Sequence, residues 1–396
     1  MLKIVKYTII LLIFNVVWNA TCMGQGSGKT PKNRNHKPLG VVKPKSAAWE
    51  GITDEIATDS GRLAAYFAER YPDPDQRVEA IYTWITGTFT YNDSEAFDFE
   101  RMEYPLKSIL KSKTGVCQEI ATLFEFLCLS SGIENHLVVG YTTNRASIGH
   151  AWNVCRYKNS LCFFDPTWDL QDPEQGKPAS KTYFAVAPLL FNQSHHPYHP
   201  TWQLLGRPVT DQEYIAGAFE KMKVQGNYLF EDTILYLNRL NKIQQDSFYF
   251  AYFKSYKPVN YAGMNASRAN NYKVRHHEFN KIKLIYQIEN GIVDTFNTYI
   301  NFFNNKFMPK REDSYFKNLT GMMESLFLRT DTLYKTINWK HLESSEAVEE
   351  QARLNKFLAT TRNRWNKHRA FIQLYLSKNK LGRKLIFTNP ANNPEN

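Results

Sequence analysis

Thr114-Gly115-Val116-Cys117-Gln118-Glu119-Ile120-Ala121 is the stretch on which the reading of this 396-residue chain turns, followed by Gly149-His150-Ala151-Trp152-Asn153 and Phe163-Phe164-Asp165-Pro166-Thr167-Trp168. Cys117 follows a glycine turn and opens an apolar series, Ile120, Ala121, Phe124, Leu127 and Cys128, with the spacing of one helix face. The thiol is therefore expected in a first helical turn, where unpaired N–H groups and the helix dipole favour a thiolate. His150 begins an alternating segment that reads as a strand, and an imidazole there can take the thiol proton and later return one to a leaving group. Residues 161–165 are expected to pair antiparallel with that strand across a turn at 157–160. Any odd-sum register then puts His150 and Asp165 on one face, so that one hairpin presents the base and the carboxylate that orients it. The same register puts Cys155 and Cys162 on the opposite face, either as a cross-strand disulfide or as two reduced buried thiols; Cys128 reads as core.

Gly-Val-Cys at a helix start, His-Ala-Trp-Asn about thirty residues on, and then Asp-Pro-Thr-Trp resemble the core of the transglutaminase-like superfamily. The resemblance runs over residues 49–205, with 188–198 and Trp202-Gln203-Leu204-Leu205 similar to the tail of that core. It implies an α+β, papain-like fold with the catalytic helix packed on an antiparallel sheet, and a Cys117-His150-Asp165 triad. It also implies a cysteine enzyme that acts on amide bonds through a thioester, by hydrolysis or by acyl transfer to an amine. Gln118 and Trp84 are candidates for a second oxyanion donor beside the Cys117 N–H, with core packing the competing and favoured reading of Trp84, and Arg145 and Trp152 are candidates for contacts with substrate. Some members of the superfamily serve instead as inactive interaction scaffolds, which is the alternative reading. Residues 96–113 are expected to form one wall of a substrate groove.

Around this core, residues 1–22 read as a signal peptide: Lys3 and Lys6 precede an eleven-residue apolar run at 8–18, too short to span a membrane. Cleavage is expected before Met23 or Gln25, and export to the periplasm, envelope or exterior follows; a lipoprotein anchored through Cys22 is the competing reading. Residues 23–48 are a polar linker. Helices are expected at 54–71 and 77–89, and a buried strand at 136–141. After residue 208 the pattern becomes helical, at 211–245, 276–307, 314–337 and 343–377 with a break at 258–269, so the division runs 49–208 for the core and 209–396 for an all-α domain. Residues 215–396 carry 28 basic and 16 acidic residues, against 21 and 22 before. The cluster Arg362, Arg364, Lys367 and Arg369 reads as a solvated helix face, or as a docking surface for an acidic or envelope partner. The expected substrate is a protein or a peptidoglycan-type peptide, and export argues against nucleic acid. No Gly-rich phosphate loop calls for a cofactor. The run His195-His196-Pro197-Tyr198-His199 has no acidic or cysteine neighbour at ligand spacing, so no metal site is expected there.

Overall fold

The computed structural model describes residues 49–92, 105–143, 149–342 and 344–395. The expected signal peptide, the linker and Arg145 lie outside the described residues. The chain falls into two compact units, one running to Val274 and the other beginning at Arg275.

In the first unit the expected helix at 54–71 is interrupted. α1 (Asp54–Ala57) ends at Thr58, and Asp59 starts α2 (Ser60–Arg70) by accepting the Arg62 N–H. α3 (Pro74–Thr88) begins three residues earlier than expected, because Asp73 caps it and Pro74 supplies the preset φ of a first turn. β1 (Thr90–Tyr91) pairs in parallel with β2 (Thr114–Gly115), and α4 (Leu106–Ser112) lies between them in sequence. β2 delivers the chain into α5 (Cys117–Ser130), whose Ile120, Leu123, Phe124 and Leu127 meet Leu63, Phe67, Val78, Ile81 and Ile85 in a continuous apolar core.

Four antiparallel strands follow, in the order β5 (Ser160–Phe164), β4 (Gly149–Tyr157), β3 (Asn135–Thr142), β6 (His195–Pro197). Both faces of the sheet are covered. Cys155 and Phe164 join the α5 core, whereas Val138, Trp152, Val154 and Phe163 join a second core with Trp202, Ile234 and Leu237. This double burial explains why residues 151–155 of β4 are buried without interruption. Asn153 pins β4 to its neighbours, donating to the Ala121 carbonyl (3.0 Å) and to Asn135 Oδ1 (2.9 Å). β4 and β5 are joined by a two-residue turn in which Lys158 and Asn159 both have positive φ, 49° and 62°, the twist that a tight hairpin requires. Their register pairs Asn153 with Phe164 and Cys155 with Cys162, both free thiols. This is an odd-sum register, as expected. The α+β core with the Cys117 helix on an antiparallel sheet, followed by helices, is thus observed.

The helices after residue 208 depart from the expected spans. In place of a run over 211–245 there are α7 (Asp211–Ile215), α8 (Phe230–Leu237) and α9 (Lys242–Ser255). Gly217, at a φ of 69°, stands two residues after α7, and Asn241 starts α9 with its own cap. α10 (Tyr261–Asn304) starts inside the stretch expected to be a break, since Asn260 accepts the Gly263 N–H (2.8 Å) and no proline follows until its end. Ile234 and Leu237 of α8 pack on the sheet core, and Tyr214, Met222 and Ala262 pack with Tyr141 and Tyr198. The second unit contains the rest of α10, α11 (Asp313–Lys335), α12 (Ser345–Ser377) and α13 (Lys380–Leu385) around Phe296, Tyr299, Phe316, Trp365 and Phe371.

Candidate functional site

Val116 is extended, at φ −88° and ψ 170°, and its N–H is accepted by Glu119 Oε2 at 3.0 Å, so the helix starts at Cys117. Glu119 is itself buried, which leaves the cap no room to slip. Cys117 is only partly buried, in contrast to Cys128 and Cys155. At the start of β4, His150 places Nε2 2.7 Å from Asp165 Oδ2. Its ring lies beside those of Trp168 and Trp152, with centroids at 5.5 and 5.8 Å. With Nε2 committed to the carboxylate, Nδ1 is the nitrogen left for the thiol.

Asp165 follows the last residue of β5 and is fully buried. Its Oδ1 accepts the N–H groups of Thr167 (3.0 Å) and Trp168 (3.2 Å); its Oδ2 accepts from His150 and, at 3.1 Å, from His195 Nε2. Its backbone is held as well. The Tyr82 hydroxyl donates to its carbonyl at 3.0 Å, and its N–H donates to the Tyr183 carbonyl at 3.0 Å. The same Tyr82 proton is shared with buried Asp169, at the shorter distance of 2.5 Å, and Asp169 accepts the N–H groups of Thr182 and Tyr183 and closes the loop around the site.

Burial would lower the pKa of His150, but the Asp165 carboxylate and the Cys117 thiol outweigh it and raise the imidazole above its ordinary value. Burial would raise that of Asp165, but His150 and His195 hold it well below the usual carboxylate range. The pair therefore favours imidazolium and carboxylate. An acceptor with four donors is preorganised to keep a negative charge in a dry setting.

Of the other expected residues, Arg145 lies outside the described ones, and the remaining three lie as follows. Trp84 is core, packed on Phe67 and Phe89 with Lys113 over its ring. Trp152 is fully buried in the sheet core and so cannot touch substrate, though its ring adjoins His150. Gln118 is partly exposed beside Cys117 on α5. The histidine run acquires the acidic partners that spacing did not reveal: His195 meets Asp165, and His196 meets Asp211 at 2.7 Å. His150, Asp165 and His195 bring three potential ligand atoms within 4.8 Å of one another. Both histidines present Nε2 to the carboxylate as donors, so a cation would have to displace two shared protons. Sequence reasoning missed His195, Tyr82 and Asp169. The signal for Asp169 was a second aspartate four residues past Asp165; for His195 and Tyr82 there was none, because their partners are distant in the chain.

Residues 61–166 match the family model described as Transglutaminase-like superfamily. Two relatives are kyphoscoliosis peptidases: that of Homo sapiens is 29% identical over 197 residues, 46% of this chain and 29% of that protein. That of Mus musculus is 29% identical over 160 residues, 37% and 24% of the two chains. The chain thus matches less than a third of the length of these relatives. Among solved structures, a cysteine protease candidate from Cytophaga hutchinsonii aligns over 33% of this chain and 47% of that one, at 18% identity and a TM-score of 0.24. A TGase aligns over 30% and 34%, at 18% identity and a TM-score of 0.23.

Proposed function

Taking residues 61–166 as a transglutaminase-like core, we propose that the chain is a cysteine enzyme acting on amide bonds of peptides or proteins through Cys117, His150 and Asp165. The observation that carries this reading is the 2.7 Å bond from His150 to a four-donor carboxylate, with the Cys117 thiol acting on the same imidazole.

In the proposed reaction the Cys117 thiolate attacks the carbonyl carbon, and the oxyanion forms against the Cys117 N–H, one of the N–H groups a helix start leaves unpaired. The imidazolium gives its proton to the departing nitrogen, so ammonia or an amine leaves and a thioester remains. His150, now neutral, accepts a proton from water or from a second amine, whose attack breaks the C–S bond and restores the thiolate. Asp165 holds one tautomer throughout and stabilises the imidazolium in both halves. Hydrolysis and transamidation share the first half and differ only in the acceptor. Export is part of the proposal, supported by the charged and apolar pattern of residues 1–18.

Site-resolved labelling of the folded chain with iodoacetamide near pH 6 tests the reading. Cys117 is expected to react faster than partly buried Cys162 and far faster than buried Cys128 and Cys155, and to slow markedly in His150→Ala. Labelling no faster at Cys117 than at Cys162 would leave the interaction scaffold as the better account.

A further inference from the structure

β6 reaches β3 only because residue 140 is glycine. A Cβ there would stand 2.1 Å from the His196 carbonyl oxygen and 2.5 Å from the Trp152 ring. That close approach brings His195 to Asp165 beside His150, with ring centroids 5.6 Å apart. Its Nε2 lies 3.1 Å from the same Oδ2 that His150 binds, and its Nδ1 lies 2.8 Å from Ser194 Oγ. The ring stacks on Phe191, with centroids 3.9 Å apart and planes at 19°, and abuts Trp168 and Trp152 at 4.3 and 5.0 Å.

His195 has no exposed surface, so its only route to the chemistry is through Asp165. It also lies outside the segment that matches the family model. We propose that His195 is a positioning residue, the second donor to Asp165 Oδ2, which keeps that carboxylate ionised and aimed at His150. This rests on the triad being active.

The Asp165 carboxylate can only accept, so Nε2 of a neutral His195 carries the proton, and Nδ1 accepts from the Ser194 hydroxyl, which also lies 3.2 Å from the Phe191 carbonyl. The other titratable groups around Asp165 are His150 from β4, Tyr82 from α3, and Asp169 and Tyr183 from the loop after β5, with Cys117 of α5 beyond His150. Burial keeps His195 below its ordinary value, that is, neutral. A neutral donor suits the position. A second imidazolium with its ring centroid 5.6 Å from that of His150 would repel the charge that Asp165 is there to stabilise. Without the His195 donor, Oδ2 would be a buried acceptor served by His150 alone, its pKa would rise, and its support of the imidazolium would weaken. Thiolate formation at Cys117 would then require a higher pH.

The test is the pH profile of iodoacetamide alkylation at Cys117 in the full chain, with thermal unfolding in parallel. His195→Phe keeps the ring stack and removes the donor, and is expected to move the midpoint up by about one pH unit, roughly tenfold slower labelling below it. His195→Gln, whose amide can donate from a similar distance, is expected to restore most of the shift. Ser194→Ala, which frees the tautomer, should show a smaller shift in the same direction. A folded His195→Phe with the wild-type midpoint overturns the proposal, as does a Gln variant no better than Phe. Should His195→Phe fail to fold, the other two decide: a wild-type midpoint in Ser194→Ala, or a Gln midpoint above it, overturns the proposal. His150→Ala is the separate control. If it leaves the profile unmoved, the triad reading fails and this inference with it; if it moves the profile and His195→Phe does not, only the role of His195 is lost.

Discussion

Asp165 and the buried acids of the helical unit are held in opposite ways. In the helical unit each buried acid has its own cation close by: Glu289 is 2.9 Å from Arg353, and Glu278 is 2.9 Å from Lys281. Its arginine cluster is spent likewise, with Arg362 on Asp331, Arg364 on Glu395, Arg369 on Glu324, and Arg383 held by Asp313 through two bonds. In the core unit, Asp165 receives four donors from three chain segments, none of them a lysine or arginine among the described residues. Pairing cancels a charge, whereas surrounding it with neutral or proton-sharing donors keeps it in place for use. The basic excess of residues 215–396 is for the same reason a poor measure of a basic surface, since much of it is matched internally.

The sharpest way to break this contrast is by activity. Cys117→Ala, His150→Ala and Asp165→Asn are each expected to cut amide hydrolysis or amine incorporation by on the order of 10³-fold or more, while Arg369→Ala leaves both unchanged. Equal losses in the two units would end the distinction.

Next in size are the truncations. A chain cut after residue 208 would lose Ile234 and Leu237 from the sheet core and Tyr214 and Met222 from the cluster at Tyr141. At about 1.5–3 kcal/mol for each large apolar side chain, that is comparable with a whole domain's stability. Residues 49–274 are therefore expected to melt cooperatively by calorimetry, and residues 49–208 to lack a sharp transition. A cooperative 49–208 fragment would bear out the division expected from the sequence.

Within the helical unit, Arg353→Ala leaves Glu289 buried with its cation gone and should cost about 3 kcal/mol in chemical denaturation. Arg369→Ala, a partly exposed pair, should cost less than about 0.5 kcal/mol.

The pH dependence is smaller and has a definite sign. His150 is raised when folded, so its contribution is complete below its ordinary 6.5 and fades as pH rises toward the folded value. Asp165 is depressed, so its contribution is complete above 3.8 and is lost as pH falls. His199, lowered to about 4 by burial, adds a loss between 6.5 and 4. Melting temperature should therefore fall on both sides of about pH 6.5. In Asp165→Asn the alkaline fall should flatten, because the group that raises His150 has gone.

How much of this was legible depends on the range of the interaction. The Cys117 helix start, the His150 strand and the hairpin parity are local, set by spacings of two and 3.6 residues, and they appeared in the sequence. Trp84 was read as core packing or an oxyanion donor and Trp152 as a contact with substrate, because an indole reads the same at a core position as at a cleft; only packing tells them apart. His195 was given no role, since its partner lies thirty residues away and is reached through β6. The spans after residue 208 failed where periodicity continued across Gly217 and the loop before α8, and where a single proline at 258 was read as a longer break.

Gly140 carries a consequence for anyone surveying this protein by substitution. It holds no proton, touches no substrate and offers no functional group, yet His150 is its partner on one strand and Pro197 on the other. A methyl group there must push β6 or Trp152 aside, and with them the ring that steadies Asp165. A loss-of-activity screen would return this position alongside the triad, and a chemist reading the hits would look in vain for its reagent: what it contributes is an absence of volume.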